Sequence, residues 1–353
     1  MCLLFLLSQL HLILTLSSPF MQPLCHHDES FALFQFKESF VIDEHASYEY
    51  LLAYGRIDCR KVASWTLEGD KSDCCSWDGV ECDEDSGYVI GLDLRSSCLY
   101  GSINSSNSLF RLVHLRRLDL SYNHFNYSPI PPQSSPLEAL ALTATSFSGE
   151  LPASIGNRSY LNALDVSGCN FSGSIPSSLG NLTNLIVLKL SNNAFKGEAP
   201  SSIENINRLS FLDLSHNQFT GPILFHLVNL MQLKVIFLRL NHFTGEIPVA
   251  ILNLTKLSVL VLGDNKLQGR IPNSIFNLTN LQFLGLARNY FSGTMEFDKF
   301  VKLKHLIVLY LSHNQLSLLF KEPDANAMFP KFQSLSLSSC NLSKFPDFLS
   351  VTN

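Results

Sequence analysis

Apolar and polar positions follow one pattern along most of this chain, and the pattern is clearest between residues 257 and 272. Leucines at 260 and 262 flank Val261, and this alternation predicts a short strand with the leucines inward and the valine outward. Asn265 follows as the first fixed residue of a turn, and Leu267, Gly269 and Pro272 come after it. The stretch therefore predicts one strand followed by one return turn.

The same unit recurs with a constant period. Aligned on the asparagine slot, the step is 24 residues throughout 145–289, and the flanking steps run from 22 to 26. A fixed period of this length predicts a solenoid in which each repeat is one coil, with its strands stacked into a parallel sheet on the concave side. We number the coils 1 to 11 by the residue in the asparagine slot: Ser97, Asn123, Thr145, Cys169, Asn193, Asn217, Asn241, Asn265, Asn289, Asn314 and Cys340.

Each further position of the unit predicts a structural role. The asparagine amide is expected to bond backbone groups of its own and the neighbouring coil, with serine, threonine and cysteine as weaker substitutes. The glycine of each Gly-x-Ile-Pro segment predicts a positive φ, and helical turns such as 274–278 are expected to close each coil on the convex side. The motif is altered at Gly221 and lost in 317–330, so lateral pairing should change near coil 10. A buried aromatic spine is predicted from Phe125, Phe147, Phe171, Phe195, Phe219, Phe243 and Phe291.

The pattern divides the chain into three segments. Residues 1–24 are apolar and predict a signal peptide cleaved between 18 and 24, with an uncleaved membrane anchor as the alternative. Residues 25–87 predict an N-terminal cysteine-rich cap, and residues 88–353 contain about eleven repeats and the beginning of another. No closing cap follows, so we expect the chain to be a portion of a longer protein.

The cap is expected to cover the first apolar layer of the solenoid. Residues 28–40 predict an amphipathic helix with Asp28 as N-cap, and Trp65 and Trp77 add apolar cover. A small cap in an oxidising compartment needs disulfides, and its four motif cysteines allow three pairings, between which the sequence does not choose. A zinc site is the alternative chemistry. Cys59 has no evident partner and is expected to be a free or variably paired thiol. The four motif cysteines are Cys25, Cys74, Cys75 and Cys82.

Eight Asn-X-Ser/Thr sequons agree with secretion and predict N-glycosylation. Four of them, at 157, 181, 253 and 277, precede the first leucine of a repeat by four residues, which indicates one outward-facing edge. The alternative is that this slot favours asparagine as a turn residue. The sequon asparagines are Asn104, Asn126, Asn157, Asn170, Asn181, Asn253, Asn277 and Asn341.

The L-x-x-L-x-L-x-x-N-x-L pattern is that of the leucine-rich repeat. Together with the leader, the Asp73-Cys-Cys-Ser-Trp-Asp-Gly-Val-Glu-Cys82 segment and the 24-residue Gly-x-Ile-Pro repeats, it resembles plant extracellular leucine-rich-repeat receptor-like proteins of the disease-resistance type. The resemblance implies an α/β solenoid, a right-handed leucine-rich-repeat superhelix with a parallel concave sheet and a disulfide-bonded cap. It also implies that Cys25 pairs with Cys74 and Cys75 with Cys82.

The resemblance further implies a ligand-recognition ectodomain in plant immunity or development. Such proteins bind an extracellular peptide, protein or glycan and signal through a partner receptor kinase, so the expected location is the extracellular side of the plasma membrane. A soluble polygalacturonase-inhibitor-like protein, the beginning of a receptor kinase and a truncated non-signalling fragment are the alternatives. Apart from the leader, no stretch predicts a membrane span.

Outward strand positions of coils 6 to 10 predict where a ligand would lie. Aromatic and aliphatic side chains flanked by charges are typical of an interaction patch, although β-favouring residues also occur on any exposed sheet. The candidate ligand-binding residues are Phe211, Asp213, Phe237, Arg239, Val261, Asp264, Phe283, Arg288 and Tyr310.

Composition argues against other classes of function. The net charge is -5 with a pI of about 6.1, so nucleic acid is not an expected partner. His216 and His313 occupy the same outward slot but lie four coils apart, about 19 Å by strand spacing, and so predict no shared metal. No catalytic residues, metal ligands or cofactors are expected.

Overall fold

A computed structural model describes residues 24–55, 59–69, 72–130, 136–320 and 329–342. The predicted leader lies outside this part of the chain except for Leu24. Twelve strands form one sheet along the concave side; all neighbours are parallel except the first two strands, which pair antiparallel. The predicted leucine-rich-repeat solenoid is confirmed. In order, the strands are Val80–Cys82, Val89–Asp93, Arg117–Asp119, Ala139–Ala141, Ala163–Asp165, Val187–Lys189, Phe211–Asp213, Val235–Phe237, Val259–Val261, Phe283–Gly285, Val308–Tyr310 and Ser334–Ser336.

The middle residue of each concave strand points into the core. Leu212, Ile236 and Leu260 are register partners in successive strands, and all three are fully buried. Their neighbours at the first and third positions face the concave side, as period-two alternation requires. The sequence pattern therefore fixes which side chains a ligand can reach.

The predicted asparagine ladder is present. The amide nitrogen of Asn265 donates to the carbonyl oxygens of Leu238, one coil earlier (2.9 Å), and Leu262 (3.0 Å). Its side-chain oxygen accepts from the backbone N–H of Phe243 (3.0 Å). Where the slot lacks asparagine, the Cys169 thiol contacts the carbonyl oxygens of Leu142 (3.0 Å) and, more weakly, Ser167 (3.7 Å).

The aromatic spine is also buried as predicted. Phe171, Phe195, Phe219 and Phe243 are stacked, with successive ring centroids 5.9–6.1 Å apart. Beside this spine lie two lateral parallel sheets that the sequence analysis did not predict. The strands of the first are Ser148–Glu150, Asn170–Gly173, Ala194–Glu198, Gln218–Gly221 and His242–Phe243; those of the second are Gln268–Gly269, Tyr290–Glu296, Gln315–Leu319 and Asn341–Leu342. Pairing lengthens to five residues beside coil 10, where a change was expected.

Short 3₁₀ helices close most coils on the convex side. Coil 6 is closed instead by helix α3 (Leu224–Leu227), because Gly221-Pro-Ile-Leu lacks the second proline that precedes the 3₁₀ helix elsewhere. The convex 3₁₀ helices are Ser108–Arg111, Ala153–Asn157, Ser177–Asn181, Ser201–Asn205, Val249–Asn253, Asn273–Asn277 and Phe297–Lys302.

Helix α1 (His27–Glu38) covers the first coil. Ala32, Leu33 and Phe36 are fully buried, and Trp65 stacks on Trp77 with ring centroids 5.3 Å apart. The N-cap is His26, so the prediction of Asp28 in that role is wrong; Asp28 lies in the first turn. There its carboxylate suits the positive end of the helix dipole.

Three disulfides fasten the cap. The structure pairs Cys25 with Cys74 and Cys75 with Cys82, as the resemblance implies. The prediction that Cys59 is free is wrong, because Cys59 pairs with Cys98 in coil 1, with their Cα atoms 5.3 Å apart. Cys98 follows the asparagine slot of coil 1 and has a positive φ, and the strand Val41–Ile42, which pairs with Leu99–Tyr100, holds the segment before Cys59 against this coil.

A segment inserted between α1 and Cys59 lies against coils 1 and 2. It contains the strand Val41–Ile42, which pairs antiparallel with Leu99–Tyr100, the 3₁₀ helix Glu44–Ser47 and helix α2 (Tyr48–Tyr54). No residue of α2 is buried, so this helix adds nothing to the core. The remaining 3₁₀ helices of the cap are Val62–Ser64 and Cys74–Ser76.

Candidate functional site

A depression of about 240 Å³ opens on the concave face between coils 7 and 11. It brings together six of the nine predicted ligand-binding residues, which come from four successive coils. These are Arg239, Val261, Asp264, Phe283, Arg288 and Tyr310.

The floor of the depression consists of small side chains. Val261 is only 9% exposed and forms part of this floor, so the outward contact predicted for it is minor. Gly263, Ala287 and Ser312 occupy the slot two residues before the asparagine in coils 8 to 10, where coil 7 has Arg239. The sequence analysis missed Ala287 and Ser312, although their small size at an outward slot was a readable signal.

One wall of the depression is charged. The Asp264 carboxylate lies between two arginines, 3.0 Å from the Nε of Arg239 and 3.6 Å from the Nε of Arg288. The aspartate side chain is 22% exposed, and the arginines are 53% and 65% exposed. Two guanidinium groups share one carboxylate, so this wall has a net positive charge and suits an acidic ligand group.

The opposite wall is aromatic. Phe283 and Tyr310 meet edge to face with ring centroids 5.5 Å apart, and the Tyr310 hydroxyl lies 3.0 Å from the Ser334 hydroxyl. Gly285 leaves room for this arrangement, because an added Cβ would lie 3.0 Å from the Phe283 ring. Rigid aromatic side chains next to a small-residue floor are typical anchor points for a peptide or protein.

The remaining predicted residues extend the surface toward coil 5. Phe211 and Phe237 have ring centroids 5.9 Å apart, and the Lys189 ammonium lies 5.5 Å from the Phe211 ring centre. Asp213 is held by its own turn, since its carboxylate accepts hydrogen bonds from the backbone N–H (2.9 Å) and hydroxyl (2.6 Å) of Ser215. These three predicted residues therefore lie beside the depression and not in it.

The backbone beneath the charged wall is fixed by the repeat. In every coil the residue before the asparagine slot has a positive φ, and Asp264 and Arg288 both adopt +56° there. This conformation is unfavourable for residues other than glycine, and the asparagine ladder holds it. The sequence analysis did not foresee this column, because only a minority of the eleven residues, such as Gly168, Asn192 and Asp264, are of types that favour a positive φ.

The sequon asparagines lie away from the concave sheet. Those at 157, 181, 253 and 277 are the last residues of convex 3₁₀ helices, and all eight are exposed except Asn253, which is half-buried. Glycans at the four convex positions would leave the depression open. Among the described residues, the cysteines outside disulfides are Cys169 and Cys340; they belong to the asparagine column, and burial raises the pKa of both thiols. Across the described residues, no helix is long and apolar enough to span a bilayer.

Family models match both parts of the described chain. The leucine rich repeat N-terminal domain matches residues 26–52 and 58–83. Leucine rich repeat models match residues 114–135, 159–219 and 231–291. The matches cover most of the cap, coil 2 and coils 4 to 9, in agreement with the observed coils.

Two curated relatives illustrate the similarity in sequence. Receptor-like protein 7 of Arabidopsis thaliana is 45% identical over 137 residues, which are 38% of this chain and 12% of that protein. Receptor-like protein Cf-9 of Solanum pimpinellifolium is 47% identical over 111 residues, which are 31% of this chain and 13% of that protein. The matches thus span about an eighth of each relative.

Solved structures show the same architecture. One is the ectodomain of the Arabidopsis thaliana receptor kinase GASSHO1/SCHENGEN3 in complex with CASPARIAN STRIP INTEGRITY FACTOR 2. It is 30% identical in sequence and superposes with a TM-score of 0.74, and the match covers 89% of this chain and 36% of that one. The Arabidopsis receptor kinase HAESA, in complex with the peptide hormone IDA and the co-receptor SERK1, is 29% identical with a TM-score of 0.69, covering 83% of this chain and 46% of that one. The family models match the cap and the repeats and the solved structures share the fold, and the chain therefore belongs to the leucine-rich-repeat proteins and, within them, resembles the plant receptor-like proteins.

Proposed function

We propose that this chain is the ligand-recognition region of a plant cell-surface receptor-like protein, and that it binds an extracellular peptide or protein across coils 6 to 10. The depression with one cationic and one aromatic wall is the observation that carries the proposal. A positive wall suits an acidic side chain or a terminal carboxylate, and the aromatic wall suits an apolar side chain close to it.

The similar proteins support this assignment. The relatives are named receptor-like proteins, and solved neighbours were determined with a peptide hormone and, for HAESA, with the co-receptor SERK1. By this similarity, signalling would use a partner receptor kinase. Three disulfides and eight sequons support an extracellular location.

The test is a triple variant, Phe237→Ala, Arg239→Ala and Phe283→Ala, in the secreted chain. Peptides and proteins that bind the wild-type chain in plant apoplastic fluid are captured and identified by mass spectrometry, and their affinities are then measured with each variant. The triple variant should lose these ligands, because it removes one residue from each wall and the aromatic ring of Phe237 beside the depression. Its secretion and thermal stability should stay unchanged, since none of the three side chains is fully buried.

A convex-side variant gives the matched control. Phe225→Ala with Arg270→Ala removes one exposed aromatic residue of the convex helix α3 and one exposed arginine just before the convex 3₁₀ helix Asn273–Asn277, and should bind as wild type does. If the triple variant retains its ligands with wild-type affinity, the concave site is not where they bind and the proposal is wrong.

A further inference from the structure

A second and larger depression, of about 430 Å³, lies at the N-terminal end of the concave face. It is built by the edge strand Val80–Cys82 and the strands of coils 1 to 3, so coils 4 to 6 separate it from the depression described above. Its floor is again made of small residues: Gly79, Gly91, Ala139 and Ala141.

The rim of this second depression is charged but balanced. Arg95 donates two hydrogen bonds to the Asp119 carboxylate, of 3.0 Å and 2.6 Å, and Arg117 forms an ion pair with Glu81. The third carboxylate, Asp93, pairs with a lysine ammonium at 3.2 Å. The rim therefore offers many donors and acceptors without a net charge.

This balance selects the kind of ligand. A charged ligand would have to separate one of these pairs, which leaves the displaced partner without its counter-charge. A ligand with neutral hydroxyl groups has no such cost, because each hydroxyl both donates and accepts hydrogen bonds. Hydroxyls can therefore bond the outer lone pairs of the carboxylates and the outer N–H groups of the guanidinium ions while the pairs stay intact.

Three tyrosines adjoin this rim. The ring centroids of Tyr50 and Tyr54, both in α2, are 4.5 Å apart, and that of Tyr122 is 5.2 Å from the first and 6.2 Å from the second. Tyr122 comes three residues after the rim residue Asp119 on coil 2, which places the cluster next to the depression. Burial, together with a hydrogen bond to Tyr54, raises the pKa of Tyr122 to about 12, so its hydroxyl stays protonated at physiological pH.

The tyrosine helix is fastened to the solenoid at three points. The Cys59–Cys98 disulfide follows it, the strand Val41–Ile42 precedes it, and the Ser47 hydroxyl donates to the Tyr122 carbonyl oxygen at 2.6 Å. The helix itself buries no residue, and Tyr54 is 62% exposed. Core packing thus does not account for this fixed aromatic surface beside a pocket.

We propose that the N-terminal depression binds a neutral oligosaccharide. Sugar hydroxyls would bond the paired rim charges, and the C–H face of a sugar ring would pack against the exposed ring of Tyr54, which the half-buried Tyr50 and Tyr122 support. The site is separate from the ligand site proposed for coils 6 to 10 and does not depend on it.

The experiment titrates the secreted full chain with cellohexaose, mannohexaose and chitohexaose, and with hexagalacturonate as the charged comparison, using calorimetry and saturation-transfer NMR. At least one neutral hexamer should bind saturably and more tightly than hexagalacturonate. The double variant Tyr50→Ala with Tyr54→Ala should weaken that binding about tenfold, about 1.4 kcal/mol. Ala141→Trp should abolish it by filling the depression.

Two comparisons keep the test specific. The slot of Ala141 holds Phe237 in coil 7, so a large ring there is compatible with the fold, and circular dichroism checks this. Tyr310→Ala, in the other depression, should leave the sugar affinity unchanged. Lack of saturable binding by all three neutral hexamers at millimolar concentration, tighter binding of hexagalacturonate, or binding that survives Ala141→Trp would each overturn the proposal. A peptide ligand lost on Ala141→Trp, with no sugar bound, would overturn it as well.

Discussion

Arg158 is a buried cation in a slot that other coils fill with leucine or isoleucine. The equivalent residues Leu182, Ile206 and Leu230 are fully buried, and Arg158 is 8% exposed. Within the described chain its Nε and Nη1 have no hydrogen-bond partner, and burial lowers the pKa of the guanidinium below its ordinary value. We therefore predict that Arg158→Met stabilises the protein, since methionine follows the same unbranched path without the charge.

The size of the gain follows from the two unpartnered donors. A buried donor without a partner costs about 1–3 kcal/mol, and replacing buried ions with apolar side chains of similar volume gains up to about 4 kcal/mol. The cavity beside Arg158 holds only about 20 Å³ and is otherwise lined by apolar side chains, so little repacking is needed. We expect a gain on the order of 2 kcal/mol, which is about 4 °C or more in Tm for a domain of this size class.

The assay is thermal unfolding together with hydrogen exchange, because a solenoid coil is coupled mainly to its neighbours. Protection should increase in coils 3 and 4 and change little beyond coil 6. The reciprocal variant Leu182→Arg places the same cation one coil further along and should cost about 3 kcal/mol or more. An unchanged or lower Tm for Arg158→Met would refute the reasoning and would mean that the guanidinium is satisfied in solution.

Three further predictions concern the scaffold. Asn241→Ala removes the acceptor of the Phe219 N–H (3.0 Å) and a donor to two coils, so it should lower stability by about 2 kcal/mol in denaturant unfolding. Substitution of the exposed Asn207, which lies outside the ladder and outside the positive-φ column, should have little effect. Burial is the main cause that raises the pKa of Glu29, so ionisation of this carboxyl opposes folding as the pH rises above 4.5. Glu29→Gln should therefore raise Tm at neutral pH and leave Tm unchanged below pH 4.5. A Tm difference between variant and wild type that does not depend on pH would contradict this. Cys59→Ser opens the disulfide to coil 1 and should speed protease cleavage within 41–60 while the repeats stay resistant; equal cleavage rates would show that the strand pairing alone holds the segment.

Much of the scaffold is readable from the sequence because each coil repeats one local rule. The inward position of Leu260, the bonds of Asn265 and the burial of Phe243 all follow from the slots they occupy. The individual strands of the lateral sheets were not predicted, because they span only two to seven residues. The Gly-x-Ile-Pro motif also interrupts the alternation of apolar and polar residues by which a strand is recognised. Asp28 was misplaced by two residues because helix ends depend on backbone geometry more than on a single capping residue type.

The candidate site was readable only in part. The repeat pattern predicts that Arg239, Asp264 and Arg288 are charged residues on the concave face. That the two arginines pair with Asp264 depends on the offset between neighbouring coils and on the side-chain conformations, which the pattern does not give. Asp213 looked equally available, yet the serine two residues later binds its carboxylate. Whether a charged side chain is available to a ligand thus depends on the residues around it in the structure, and its position in the repeat does not reveal them.

The sequence by itself determined the solenoid, the facing of each strand, the asparagine ladder and the phenylalanine spine, because every one of these arises from a period that neighbouring coils share. Only the tertiary structure decided the partner of Cys59, the position of the tyrosine helix beside coils 1 and 2, and the two depressions. These depend on contacts between residues that lie on different coils or in the irregular segment 41–60, where no repeat constrains the chain path. Burial of Arg158 belongs to the same class, since the space around it comes from the short coil 3 and not from its own slot.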